Sequence, residues 1–145
     1  MGPVVLDAYA LIAFLRGEEA GAEVIGLLRE SPASISAANL AEVVDRLVRT
    51  DGRREPEVRN RIDLVIAGGL VVEPVWLTDA RQAGSLRARH DDRGSATLSL
   101  ADCFCLATAM KLEATVATAD PALARAARAE GIEVIPLPDS RGHRP

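Results

Sequence analysis

The stretch Pro3-Val4-Val5-Leu6-Asp7, followed at once by Tyr9-Ala10-Leu11-Ile12-Ala13-Phe14-Leu15, decides the fold class. Val4 to Leu6 is apolar with no polar alternation. Such a run suits a strand covered on both faces, as in a parallel α/β sheet. The apolar stretch after it reads as a helix. Asp7 then stands at the carboxyl end of a central strand, where open α/β sheets carry their sites. Asp is also a favoured N-cap, so Asp7 taken alone reads first as a cap.

Working outward, helical and extended patterns alternate. A second helix is expected from about Ala20 to Arg29, with Val24, Leu27 and Leu28 as its stripe, and Ser31-Pro32 breaks it. Ala33-Ser34-Ile35 is a weak second strand. Ser36 suits the N-cap of a helix over 37–50, in which Leu40, Val43, Val44, Leu47 and Val48 mark one buried face. Glu42 falls on the opposite side of that wheel. Pro56 opens a helix to Ala67 with Val58, Ile62, Val65 and Ile66 inward, and Gly68-Gly69 stops it. Leu70 to Glu73 is a third strand. Thr78 is expected to cap a helix through Arg89, and the polar run 91–95 reads as a mobile loop.

Ser99 begins the next helix, which is apolar from Leu100 to Met110 except at Asp102. Ser99-x-x-Asp102 fits a capping box, but a carboxylate in so apolar a setting also calls for a cation. Thr115 to Thr118 is a fourth strand ending in Ala119-Asp120-Pro121, where Asp at N-cap and Pro at N1 start a helix. A fifth strand covers Ile132 to Ile135. The domain is expected to span 1–137, with 138–145 as a loose tail.

Composition bounds the function. At 145 residues the chain suits one domain with a proper core. Aromatics are 3%, so the core is aliphatic and base-stacking platforms are not expected. No apolar run approaches the ~20 residues of a membrane span, and no basic n-region with a cleavage site opens the chain, so a cytoplasmic location is expected. Cys103 and Cys105 read as reduced buried thiols. With only His90 and His143 beside them, zinc has too few ligands. The net charge of −4 does not advertise nucleic-acid binding. Lys111 is the one lysine among 17 basic residues, and the rest are Arg, the better bidentate phosphate binder. A GC-rich coding bias gives the same count.

Parallel strands joined by right-handed crossovers put their carboxyl ends on one rim. Asp7 and Asp120 follow strands there, and Glu42 and Asp102 lie near the starts of helices entering from it. Converging carboxylates repel unless a cation sits among them. Oxygen donors suit Mg²⁺ or Mn²⁺, which points to phosphoryl chemistry. An aspartyl-phosphate phosphatase needs a second Asp two residues after the first, and Tyr9 stands there. A phosphate-accepting receiver domain wants an acidic pair and a late lysine. No P-loop or dinucleotide glycine motif occurs.

Val5-Leu6-Asp7-Ala8, Ser36-Ala37-Ala38-Asn39-Leu40-Ala41-Glu42-Val43, Leu98-Ser99-Leu100-Ala101-Asp102 and Ala117-Thr118-Ala119-Asp120 occur in that order. In this the chain resembles a PIN-domain ribonuclease, in particular a VapC-type toxin of a toxin–antitoxin pair. The resemblance implies an α/β fold, a single PIN-like domain, with parallel sheet order 3-2-1-4-5 and helices on both faces. It implies that Asp7, Glu42, Asp102 and Asp120 are the metal-binding and catalytic acids, supported by Thr118 and Asn39. The implied activity is Mg²⁺-dependent endoribonuclease cleavage with a metal-activated water, Mn²⁺ substituting. A non-catalytic PIN-fold module that binds RNA or protein is the alternative. Arg46, Arg49, Arg89 and Arg93 are candidate contacts to RNA. The implied partner is an antitoxin covering the acids, and the apolar surfaces of the first two helices are expected also to support a homodimer. The surplus apolar residues of the first two helices, Leu11, Ile12, Phe14, Leu15, Val24, Ile25, Leu27 and Leu28, offer a place for a partner's amphipathic helix.

Overall fold

The computed structural model describes residues 2–91 and 97–145. In chain order the elements are β1 (Val4–Leu6), α1 (Ala8–Arg16), α2 (Glu19–Glu30), β2 (Ala33–Ser36) and α3 (Ala37–Asp45). A π-helical turn, Arg46–Thr50, continues α3. Then come α4 (Glu55–Ala67), β3 (Val71–Glu73), α5 (Leu77–His90), α6 (Leu100–Leu112), β4 (Thr115–Thr118), α7 (Pro121–Ala129) and β5 (Val134–Pro136). The five strands form one parallel sheet in the order β3-β2-β1-β4-β5, as the resemblance implied.

The pleat divides the core in two. Val4 and Leu6 pack with the apolar faces of α1 to α4. Val5 packs with α5, α6 and α7 on the other side. Alternate residues of a strand point to opposite faces, so a strand with helices on both sides must be apolar throughout. Gly21 sets the contact between α1 and α2. A Cβ there would lie 2.9 Å from the Ala13 carbonyl oxygen, so any side chain forces the helices apart. Cys103 and Cys105 are free and buried, as expected.

Four details differ from the sequence reading. The helix expected over 37–50 leaves α geometry at Arg46, where the Asp51 amide donates to the Arg46 carbonyl in the wider five-residue repeat. Thr78 does not cap α5. Asp79 reaches back to accept from the Trp76 amide at 2.8 Å, so the helix begins at Leu77. Ile66 was expected inward but is 39% exposed, because Val58 and Ile62 fill the inner face of α4.

The fourth difference concerns residues 138–145, which are not loose in the structure. The Tyr9 hydroxyl donates to the Pro138 carbonyl at 3.0 Å. Asp139 accepts from the amides of Arg141 and His143. The Arg144 guanidinium donates to both carboxylate oxygens of Glu23 and to the Pro136 carbonyl. The mobile loop expected over 91–95 lies, apart from Asp91, outside the described residues.

Candidate active site

Asp7 leaves β1 and caps α1. Its Oδ1 accepts from the Ala10 amide at 2.7 Å, and its Oδ2 accepts from the Thr118 hydroxyl at 2.5 Å. The residue is 3% exposed. Burial is the main reason its pKa rises from 3.8 to about 7. The bonds from Thr118 and Ala10 pull it down, and the charges of Asp102 and Asp120 push it further up. Cys105 lies beneath, its Sγ 4.0 Å from the Leu6 carbonyl oxygen. Burial, then the charges of Asp7 and Asp102, hold that thiol well above the usual range. It is therefore a neutral floor under the carboxylate.

Thr118 ends β4 and joins two of the acids. Its Oγ1 donates to Asp7 and accepts from the Asp120 amide at 2.9 Å. Asp120 caps α7 through Oδ1 alone, accepting from the amides of Ala122 and Leu123. Asp102 and Ser99 form the expected capping box, Ser99 N donating to Oδ2 at 2.9 Å and Asp102 N to the Ser99 hydroxyl at 3.0 Å. Burial raises the Asp102 pKa, its bonds to Ser99 lower it, and the charge of Asp120 raises it again. Both cap readings hold, and each cap engages only one carboxylate oxygen.

Glu42 is half-buried in α3. Burial raises its pKa first, then the charge of Asp102. Arg46 opposes them, and Asp45 and Asp120 add to them. The sequence wheel placed Glu42 away from the apolar stripe, and it does point away from that stripe. The side it faces holds Asp102 and Asp120. Asn39, one turn earlier and fully buried, donates from Nδ2 to the Ala101 carbonyl at 3.0 Å, beside Asp102.

Asp7 and Glu42 thus each lie within reach of the charges of Asp102 and Asp120, and Asp102 within reach of that of Asp120. The carboxylates are not drawn into a ready cage: among the described residues, no three His, Cys, Asp or Glu side chains are arranged to hold an ion. Three of these four are tethered to their own helix ends. The donor set fits a hard divalent cation: oxygen atoms only, desolvated, mutually repelling, and each cap leaving an oxygen of Asp102 and Asp120 outside it.

The arginines divide. Arg46 is half-buried and its charge acts on Glu42. Arg49 is held by both carboxylate oxygens of Asp45, and Arg89 by Glu130 and the Ser85 hydroxyl. Arg93 lies outside the described residues. Tyr9 was missed in the sequence reading as a neighbour of the site. It stands two residues after Asp7 and ties α1 to Pro138. Its pKa is raised by burial, then by Glu18, Asp139 and Asp7. Its signal was its place in the first turn after Asp7.

No curated protein sequence matches the chain. Solved structures share its fold. The VapBC2 complex of Rickettsia felis, bound to a fragment of its promoter DNA, aligns with TM-score 0.67 at 15% identity over 92% of this chain and 97% of that one. VapC20 of Mycobacterium tuberculosis, described as a toxin cleaving the sarcin-ricin loop, aligns with TM-score 0.64 at 21% identity over 85% and 94%. FitAcB of Neisseria gonorrhoeae aligns with TM-score 0.65 at 22% identity over 91% and 96%. The PIN domain model matches residues 4–129, which contain β1 to α7 and all four acids. With that match over most of its length, the chain belongs to the PIN-domain family.

Proposed function

We propose that the protein is a Mg²⁺-dependent endoribonuclease acting as the toxin of a VapBC-type toxin–antitoxin pair. One observation carries the reading most: Asp7 is 3% exposed, its two carboxylate oxygens take hydrogen bonds from the Ala10 amide and the Thr118 hydroxyl, and the charges acting on it are those of Asp102 and Asp120. Such a group is stabilised when a cation joins it. Asp7, Asp102, Asp120 and Glu42 would hold Mg²⁺, with Mn²⁺ able to substitute. A bound ion supplies water activation near neutral pH and charge neutralisation at the phosphate.

The chain's own residues do the rest. Thr118 orients Asp7 and sets its distance from the start of α7. The capping box fixes Asp102 against α6. Glu42 makes no cap, so its carboxylate is free to accept a proton from water at the phosphate. Arg46 stands beside it to meet phosphate oxygens. VapC20 is described as cleaving the sarcin-ricin loop, so that loop is the first substrate to try.

An antitoxin is the proposed partner. An apolar groove of about 450 Å³ lies between α1, α2 and α4, lined by Phe14, Leu15, Ile25, Leu28, Leu64 and Val65, with Arg29 and Arg61 at its edge. It suits the apolar face of an amphipathic helix. A homodimer is also proposed. No helix among the described residues is long and apolar enough to cross a membrane.

The test is RNA cleavage by the wild type and by Asp7→Asn, purified identically to exclude host ribonuclease. Asn still caps α1, so the variant should fold. Cleavage should need Mg²⁺ and vanish in the variant. Equal rates in both, or activity surviving EDTA, reject the mechanism. The competing reading is a non-catalytic PIN module that binds RNA or protein. RNA binding without cleavage in saturating Mn²⁺ would select it.

A further inference from the structure

Asn39 has a feature that its place in the core does not explain. It is fully buried in the first turn of α3, and its Nδ2 donates to the Ala101 carbonyl in the first turn of α6. Its Oδ1 is also buried and has no hydrogen-bond partner among the described residues. A buried acceptor left unpaired is costly, and an apolar side chain of similar volume would avoid the cost. A strong acceptor at such a place needs a donor. Ala101 precedes Asp102, and Glu42 follows Asn39 by one helical turn, so Asn39 joins the two helix turns that carry these acids. Both acids are acceptors when ionised and can offer its Oδ1 nothing. Water is the donor that carboxylates bring into a site, and a divalent cation such as Mg²⁺ keeps several waters with strongly donating hydrogens.

We propose that Asn39 is a positioning residue with two separate contacts: its Nδ2 clamps the Glu42-bearing helix α3 to the Asp102-bearing helix α6, and its Oδ1 accepts a hydrogen bond from water brought into the carboxylate site by a divalent ion. The proposal rests on the metal-dependent reading above for its second contact and on the described geometry for its first. Partners of this kind, one layer out from the ligands, typically change metal affinity by 10–100-fold.

The experiment compares the full chain with Asn39→Leu and, should leucine not fit, Asn39→Ala. Mn²⁺ affinity is measured by calorimetric titration without RNA, thermal midpoint in EDTA, and amide hydrogen exchange in EDTA. The expected result is a 10–100-fold loss of Mn²⁺ affinity with the EDTA midpoint lowered by no more than a few degrees. A lowered midpoint with wild-type Mn²⁺ affinity means Asn39 is structural only and overturns the second contact. The clamp predicts faster exchange at the Cys103 amide, which bonds the Ser99 carbonyl in the first turn of α6, with α7 unchanged. Unchanged exchange there overturns the first contact. If wild type takes up no Mn²⁺, the metal-dependent reading fails together with the second contact. The exchange data still decide the clamp.

Discussion

At the scale of single residues, Asp7 sets function against stability. Its pKa stands near 7 in the folded chain and near 3.8 when unfolded. The ionised form is therefore less favourable in the fold than out of it. This cost is absent below about pH 4, grows as pH rises, and is complete above about pH 7. A gap of that size corresponds to something on the order of 4 kcal/mol. In EDTA the wild type should lose stability in denaturant melts as pH rises from 4 to 8, and Asp7→Asn should lose less over the same interval. At pH 8 the variant should be the more stable protein and the inactive one. A variant that follows the wild-type pH curve would show that burial of the Asp7 charge costs little. Thr118→Val keeps the volume but removes the donor to Asp7 and the acceptor for the Asp120 amide. It should cost about 1–3 kcal/mol in the same melts. A loss below the error of the melt would mean that Thr118 holds neither acid. What the sequence yielded here was the placement of Asp7 and Asp120 after strands and of Asp102 in the first turn of a helix. The pairing of Asp7 and Asp120 through Thr118 was not legible. A hydrogen bond between residues 111 positions apart depends on β1 and β4 being neighbours, which no local pattern states.

At the scale of elements, the starts of α5 and α6 make an instructive contrast. Ser99 and Asp102 gave the cap of α6 directly, since both partners of a capping box stand three residues apart in sequence. For α5 the same reading chose Thr78, because Thr is a common N-cap. The bond that starts the helix comes instead from Asp79, whose Oδ2 accepts from the Trp76 amide and lies 3.3 Å from the Lys111 ammonium. Trp76 lacks an oxygen to cap with, so sequence alone did not mark it as the N-cap. Asp79 is nearly buried, so its ion pair with Lys111 is shielded from water. Asp79→Ala should therefore destabilise by about 0.5–2 kcal/mol, the cost of the lost cap, while the Lys111 ammonium keeps its ion pair with Glu73 at 3.8 Å. Thr78→Ala should fall within about 0.5 kcal/mol of wild type, as exposed substitutions do. Thermal melts of the two variants check both values, and the reverse ranking would restore Thr78 as the cap. The π turn after α3 was equally invisible to the pattern. Leu47 and Val48 keep helical spacing, while the departure is stabilised across the chain by Asp51, which pairs through two bonds with Arg16 at the end of α1.

At the scale of the molecule, the sheet's parallel character was legible in the alternation of patterns, whereas its strand order came only with the family likeness. The partner surface was half legible. Of the eight apolar residues in α1 and α2, Leu11, Ile12, Leu15, Val24 and Leu27 belong to the core, so most of the apparent surplus is ordinary burial. Phe14, Ile25 and Leu28 line the groove with Leu15. Its other wall is α4, whose Leu64 is 73% exposed and which the sequence reading left out. An exposed leucine at the mouth of an apolar groove contributes little to the isolated fold and much to a helix lying in it. Arg29 and Arg61 at the edge favour acidic residues flanking the partner's apolar face, a complementarity that sets orientation and on-rate. Leu64→Asp should therefore leave the thermal midpoint of the free chain near wild type. It should abolish co-purification with the antitoxin partner proposed above, because a carboxylate would be buried without a partner. Arg61→Glu should weaken the same complex mainly at low salt, since its effect runs through screened charge. Co-expression followed by size-exclusion chromatography at two salt concentrations measures both. A complex that survives Leu64→Asp intact would place the proposed antitoxin elsewhere on the molecule and leave the proposal for the carboxylates untouched.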